Sequence, residues 1–455
     1  MAKIFTDDGA SGHAVTELTC ETVMGIGRAL ATILSNRNGR RAKILIGRDT
    51  RLSGEILCAS LASGCCSAGA DAHILGIVPT PAVSYLCEKY QADAGVMLTA
   101  SHNGYEYSGI TVFDSRGFLL STDLWQEIER LVTRAPGEMV PQGGEMIGSI
   151  REEKNAEWDY VRALLKQIDT DLDRMKIAID CANGAVSTAA EKFFRGVGAN
   201  IIMINNAPDG KNINENSGTV DLESLSQCVI QNRCQAGLAF DGDGGRCLMV
   251  DEKGQLLGGE RLTAVLAYAM KNAESLHANT CVVSPTTNLG FFRWAKEQGI
   301  VVAQTKDVGL RQMLDMMNLG DYSLGGTASG HIIIRGISRT ADGMLAGAKI
   351  LELLKRSGKK LSELVSVFEP YPQVSINIPL LKEYCGRWQG VPALSEIISY
   401  CQQKLEGDGR VYVRESATSP VLRIVAEGRD KELVWQYAQA IAKTAVDYVG
   451  VEEPQ

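Results

Sequence analysis

A layered α/β protein of more than one domain is what this sequence predicts, on three observations. Apolar runs of strand length, at 43–46, 75–78 and 96–98, alternate with longer helix-period patterns. The 455 residues exceed what one hydrophobic core supports, so two to four domains follow from size. Towards the carboxy end the pattern changes: strands at 374–378, 411–413 and 422–426 mix with helices at 393–405 and 431–448, as in a smaller α+β domain.

Each division has its own marker. The Pro- and Gly-containing segment 135–144 precedes a helix-spaced stripe of Trp158, Val161, Leu165 and Ile168, which puts the first limit near 150. A strand over 176–180 and the turn Cys181-Ala182-Asn183-Gly184 open a second α/β unit. Past the turn at Lys253-Gly254, a helix pattern over 261–270 begins a third, and Glu369-Pro370-Tyr371-Pro372 reads as the linker to the last. The domains so drawn are 1–150, 151–250, 251–368 and 369–455. A faint internal echo joins the first two, Ala94-Gly95-Val96-Met97-Leu98 and Ala236-Gly237-Leu238-Ala239-Phe240, each running into a polar loop.

Composition narrows the function classes. Lys plus Arg number 46 against 54 Asp plus Glu, a net charge of −8, which gives no broad field for nucleic acid or an acidic membrane. An anionic ligand must therefore be held by locally placed arginines. The first eight residues carry Asp7 and Asp8 where a signal peptide needs an apolar core, and no apolar run is long enough to span a bilayer. A cytoplasmic protein with no membrane or nucleic-acid partner is expected. The 12 cysteines lack regular spacing and Cys65-Cys66 are adjacent, so they read as reduced thiols, not as a disulfide framework or a zinc site.

Two loops carry the chemistry. Thr99-Ala100-Ser101-His102-Asn103 places one serine at the mouth of a buried strand. Asp241-Gly242-Asp243-Gly244-Gly245-Arg246 alternates two carboxylates with glycines, so both acids can turn to one point, a donor set for a hard divalent cation. Arg246 adds a planar donor suited to phosphate oxygens. Taken singly, the serine could sit in an ordinary strand-to-helix turn, the Asp-Gly-Asp-Gly run could be a solvated turn, and His102 could be a structural hydrogen bonder. Taken together they point to phosphoryl transfer through a serine.

In this order and about 140 residues apart, the two loops resemble the α-D-phosphohexomutase superfamily. Gly326-Thr327-Ala328-Ser329-Gly330-His331 is similar to that family's sugar-binding loop. Arg414-Glu415-Ser416-Ala417-Thr418-Ser419-Pro420, followed by Arg423, is similar to its carboxy-terminal phosphate-binding loop. Gly47-Arg48-Asp49-Thr50-Arg51 and Asp209-Gly210-Lys211-Asn212-Ile213-Asn214 match too, and the Asn-Ile-Asn stretch points toward the phosphoglucosamine mutase branch.

The resemblance implies three similar α/β domains and a smaller α+β domain around a central cleft. It implies transfer of a phosphoryl group between the 6- and 1-positions of a hexose or hexosamine phosphate, in a monomer or homodimer. Ser101 would be the phosphoserine, giving its phosphoryl to form a bisphosphate that reorients and returns the other. Asp241, Asp243 and Ser101 would hold Mg²⁺, with His102 and Arg246 in the chemistry. Ser329 and His331 would meet the sugar, and Arg414, Ser416, Thr418 and Arg423 the phosphate that is not reacting.

Against the family pattern this chain makes substitutions at chemical positions. Ser11 replaces an arginine that would face the serine phosphate, and Thr111 a lysine that would assist proton transfer and charge stabilisation. Gly245 replaces a third aspartate, which weakens the Mg²⁺ site, and Thr327 a glutamate of the sugar loop. Ala417 and Ser419 replace a glycine and a glutamate of the phosphate loop. Three readings stand open: a phosphosugar mutase, a catalytically impaired paralogue binding a sugar phosphate or a partner protein in a regulatory role, or a divergent enzyme for another phosphorylated small molecule.

Overall fold

Buried strands in mixed sheets read as near-continuous apolar runs because both faces are covered. In the computed structural model, which describes residues 4–6, 9–415 and 420–450, the strands Ala94–Leu98 and Ala236–Phe240 are buried at every position. Asp8 and the phosphate-loop residues Ser416, Ala417, Thr418 and Ser419 lie outside the described residues.

The two echo sequences occupy the same place in two sheets. Ala94–Leu98 pairs in parallel with Lys43–Arg48 and antiparallel with Tyr107–Asp114. Ala236–Phe240 pairs in parallel with Lys176–Asp180 and antiparallel with Cys247–Asp251. A third sheet repeats the scheme, with Leu324–Gly326 between parallel Thr280–Val283 and antiparallel Ile332–Ile334. The serine loop, the Asp-Gly loop and the Thr327–His331 loop therefore follow topologically equivalent strands.

The shared glycine has a packing cause. A Cβ at Gly95 would sit 2.4 Å from the Cys87 sulfur, and one at Gly237 would sit 2.7 Å from a Val229 methyl. Each contact comes from the helix that precedes the strand, Thr80–Lys89 or Glu223–Asn232. Gly325 does the same under Met317 of helix Leu310–Leu319. Removing the side chain lets the helix rest directly on the sheet.

The chain divides into two compact units, the residues up to Thr286 with Gln298–Val367, and Thr287–Glu297 with the residues from Phe368 onward. The first holds the three sheets just described. The second is a three-stranded antiparallel sheet in the order Gln373–Pro379, Val421–Gly428, Gly409–Glu415, packed by helices Pro392–Leu405 and Lys431–Val449. Among the described residues no helix is long and apolar enough to cross a membrane.

One predicted stripe is shifted. Helix Ala156–Leu165 buries Ala156, Tyr160, Val161 and Leu164, whereas Trp158 is 42% exposed and Ile168 lies past the helix end. Lys192 stands over the Trp158 ring at 5.0 Å, so the indole covers a charged stem at the surface instead of entering the core.

That helix joins the third sheet region through a buried acid. The Tyr160 hydroxyl donates to Asp342 Oδ2 at 2.9 Å, while Asp342 Oδ1 caps helix Gly343–Ser357 by accepting the Leu345 N–H at 3.0 Å. Burial pushes the Asp342 carboxyl up to about 6 from an ordinary 3.8. The native state then holds this proton more tightly than the unfolded chain, so stability falls as pH rises from about 4 through 6. Asp342→Asn keeps the cap oxygen and removes the charge. The variant should gain on the order of 3 kcal/mol over the parent above pH 7 and little at pH 4, read from urea unfolding at both pH values.

Candidate active site

Ser101 sits at the bend of its loop with φ +50°, a left-handed conformation that side chains seldom adopt. It is held on both sides. Its N–H donates to Thr99 Oγ1 at 2.9 Å, and its carbonyl accepts from Arg51 at 3.0 Å and from Asn214 Nδ2 at 2.8 Å. With the backbone so fixed, Ser101 Oγ donates to Asp241 Oδ2 at 2.7 Å.

Asp241 has no exposed surface. Its Oδ1 accepts the Arg246 N–H at 2.9 Å, and the Arg246 Nε stands 3.6 Å from Oδ2. Asp243, also buried, accepts the Thr80 hydroxyl at Oδ2 and the Gly245 N–H at Oδ1, 3.4 Å. Burial first, and the Asp241 carboxylate second, push Asp243 up to about 7. Two acids crowded together with one guanidinium as counter-charge form a place short of positive charge.

The donor set fits Mg²⁺: two carboxylates and a serine oxygen are hard ligands, and this ion keeps water at positions the protein leaves open. Among the described residues no group of three or more His, Cys, Asp or Glu side chains of metal-holding geometry occurs. The third acid expected from the family pattern falls at Gly245. The space for that acid is intact. A Cβ on Gly245 would lie 3.5 Å from Asp243 Oδ1 and 3.7 Å from the His331 ring, ordinary contacts.

Arg246 fixes both histidines. It approaches His102 Nδ1 at 3.0 Å and donates through Nε to His331 Nε2 at 3.4 Å. A guanidinium only donates, so these nitrogens accept, and the protons sit on His102 Nε2 and His331 Nδ1. Desolvation, then the Arg246 charge, holds both rings below the ordinary histidine range.

Ser101, His102, Asp243, Arg246 and His331 line one cavity of about 390 Å³ with Ser11 and Thr111. Ser11 and Thr111 come from neighbouring antiparallel strands, Gly9–His13 and Tyr107–Asp114. Among the described lining residues Arg246 alone carries a permanent positive charge. Thr327 is turned to its own loop: its hydroxyl lies 3.1 Å from Ser329 Oγ and accepts the His331 N–H at 3.1 Å. Thr327 is buried and Ser329 exposed, and neither lines the cavity.

Arg414 and Arg423 belong to the second unit, directly opposite each other on antiparallel strands. Arg423 Nε donates to Asn377 Oδ1 at 3.1 Å, while Arg414 Nε is buried with no partner among the described residues. Burial, then the Arg423 charge, lowers the proton affinity of Arg414. Two adjacent guanidiniums, one with an unused buried donor, make this strand pair locally positive.

Three residues of the site went unread in the sequence: Arg51, Asn214 and Thr80. The first two stood inside quoted stretches, and the Asp49-x-Arg51 spacing was the available signal for a buried ion pair. Nothing local marks Thr80, whose partner is 163 residues away.

Family models for phosphoglucomutase/phosphomannomutase match along the whole chain. Alpha/beta/alpha domain I covers residues 2–137, domain II 158–254, domain III 258–371, and the C-terminal domain 380–444. The chain belongs to this family. Phosphoglucosamine mutase of Clostridium acetobutylicum is 43% identical over 444 residues, spanning 97% of this chain and 98% of the relative. That of Acetivibrio thermocellus is 40% identical over 450 residues, 99% of this chain and all (100%) of the relative. Both bear out the branch that the Asn-Ile-Asn stretch indicates. A phosphoglucomutase/phosphomannomutase family protein of Burkholderia thailandensis has the same fold, with TM-score 0.80 at 20% identity over 98% of this chain and 99% of that one. So does Aspergillus fumigatus N-acetylphosphoglucosamine mutase, solved with GlcNAc-6P and magnesium, at TM-score 0.65 and 14% identity over 98% and 96%. This phosphohexomutase-type enzyme thus has the four-domain α/β architecture expected of it.

The expected third carboxylate can be supplied at Gly245, which tests the Asp-Gly loop as a cation site. Gly245→Asp is expected to tighten Mg²⁺ binding on the order of tenfold, measured by isothermal titration, since charge count sets affinity in such sites. Unchanged affinity would mean that the loop is not the cation site.

Proposed function

We propose that this chain is a phosphosugar mutase that interconverts the 6- and 1-phosphates of a hexosamine or hexose, carrying the phosphoryl group on Ser101 through a bisphosphate intermediate. The observation that carries this reading is the 2.7 Å bond from Ser101 Oγ to Asp241, which joins loops 140 residues apart at one cavity. The phosphoglucosamine mutases at 43% and 40% identity favour a hexosamine.

In the reaction a sugar hydroxyl oxygen forms a bond to the phosphorus on Ser101 while the P–O bond to Ser101 Oγ breaks, and the proton of the sugar hydroxyl ends on the freed Ser101 oxygen. On return, Ser101 Oγ, aimed by its bond to Asp241 Oδ2, forms a bond to the other phosphorus while that phosphorus leaves its sugar oxygen, and the serine proton ends on the sugar oxygen so released. Asp241, Asp243 and Ser101 would hold Mg²⁺, whose chemistry when bound is neutralisation of phosphoryl charge. His102 and His331 act here as donors, because Arg246 occupies one nitrogen of each ring. Arg414 and Arg423, with Ser416 and Thr418 of the same motif, bind the phosphate that is not transferred.

The impaired-paralogue reading draws on Ser11 and Thr111, which bring hydroxyls to the cavity where cations would assist transfer. Turnover decides between them. Protein supplied with Mg²⁺ and hexosamine bisphosphate should interconvert the two monophosphates by phosphorus NMR, and Ser101→Ala should lower the rate by about 10³-fold or more. Intact mass should show one phosphoryl group, mapped to Ser101. Saturable sugar-phosphate binding that needs Arg423, with no turnover, would establish the binding role instead.

A further inference from the structure

The most heavily bonded side chain near the cavity is not in contact with it. Arg51 is 2% exposed, and its Nε donates to Asp49 Oδ2 at 2.8 Å. Its two terminal nitrogens donate to the carbonyls of Ser101, Asn103 and Tyr107, each at 3.0 Å, and to that of Gly104. Five guanidinium N–H groups meet five acceptors, so this arginine has no donor left for a ligand. Asn214, from the second sheet region, donates to two of the same carbonyls, Ser101 at 2.8 Å and Asn103 at 2.9 Å.

The consequence follows from peptide geometry. A trans peptide is planar, with its N–H directed opposite to its C=O. The carbonyl of Ser101 is drawn inward by Arg51 and Asn214 together, so the N–H of His102, in the same peptide unit, is directed outward. That N–H has no hydrogen-bond partner among the described residues. Ala100, Ser101, His102 and Asn103 all line the cavity, so the peptide unit that carries this amide lies between cavity-lining residues. Gly242 makes the arrangement possible, since a Cβ there would stand 2.7 Å from the Ser101 oxygen and 2.8 Å from Asn214 Nδ2.

We propose that Arg51 and Asn214 are positioning residues which present the backbone amide of His102 to the phosphoryl group on Ser101, supplying a fixed donor in a cavity whose Ser11 and Thr111 are uncharged. The proposal rests on Ser101 as the phosphoryl carrier. A preorganised amide is effective because it is already oriented when charge develops, and loss of one such donor lowers rates by about 10²–10³-fold.

The test uses the full-length chain with ¹⁵N-labelled histidine. Five histidines give five backbone amide signals, and His102→Asn identifies the one at 102. The His102 amide proton should move downfield when Ser101 is phosphorylated, and also when inorganic phosphate is titrated with Mg²⁺ into unphosphorylated protein. Asn214→Ala should abolish most of the shift and lower kcat about 10-fold or more while KM stays within about twofold. Arg51→Lys should behave alike, and Asn214→Ala carries the test alone if that variant does not fold. A phosphate-induced shift without mutase turnover would end the mutase reading and keep the amide's role. A His102 amide that stays put with Ser101 phosphorylated or at saturating phosphate would overturn the inference. So would an unchanged shift in Asn214→Ala.

Discussion

A guanidinium sealed from water determines the shape of the serine loop. Burying an unpaired charge costs several kcal/mol, so Arg51 is tolerable only with Asp49 beside it and every N–H satisfied. The carbonyls that satisfy it come from the segment 101–107, and this segment is thereby fixed. Ser101 can then remain at φ +50°, a conformation that costs roughly 1–2 kcal/mol in isolation, because its neighbours overdetermine it. Asp49 extends the same control to the strand end, since its Oδ2 also accepts the Thr99 hydroxyl at 2.6 Å, and Thr99 Oγ1 receives the Ser101 N–H. The Ser101 hydroxyl is aimed by electrostatics two layers behind it.

Threefold repetition explains how one site draws on three sheets. In each, a parallel strand is followed by a polar loop and a hairpin return, the place where open α/β sheets put their ligands. The serine, the acid pair and the Thr327–His331 loop are three versions of one structural position. Arg246 forms an isolated bridge to His331, and Gly343 N–H donates to the Gly244 carbonyl at 3.0 Å, so the second and third loops are joined through the backbone. Chemistry could diverge among the loops because the strands beneath them carry the packing.

What could be read from the sequence was whatever local pattern encodes. The buried strands announced themselves as apolar runs, and the Ala-Gly echo was visible because the same helix-on-strand contact recurs at Gly95 and Gly237. Ser101, Asp241 and Asp243 were legible as short motifs. The helix stripe misplaced Trp158, since periodicity cannot tell a core aromatic from one covering a lysine stem. Thr327 was legible as a departure but not as a loop closer, which needs Ser329 and the His331 amide in place. Arg51, Asn214 and Thr80 act across separations of 50, 113 and 163 residues, and no window of sequence carries those pairings.

The distribution of charge around Ser101 gives the substitutions their meaning. Arg246 is shared among Asp241, His102 and His331, so its positive charge is largely committed to holding the site together. Burial first, and the Arg246 charge second, hold both imidazoles below the ordinary histidine range, and the hydroxyls of Ser11 and Thr111 add dipoles but no charge. In the proposed reaction, charge neutralisation of the transferring phosphoryl would fall on a cation held by Asp241 and Asp243, and on groups that are oriented without being ionised. Burial first and the Asp241 carboxylate second raise the proton affinity of Asp243, as two acids sharing one guanidinium require. With hydroxyls at Ser11 and Thr111, the proposed transfer would depend on the acid pair, and so Gly245, in that pair's own loop, would bear on it more directly than the other departures.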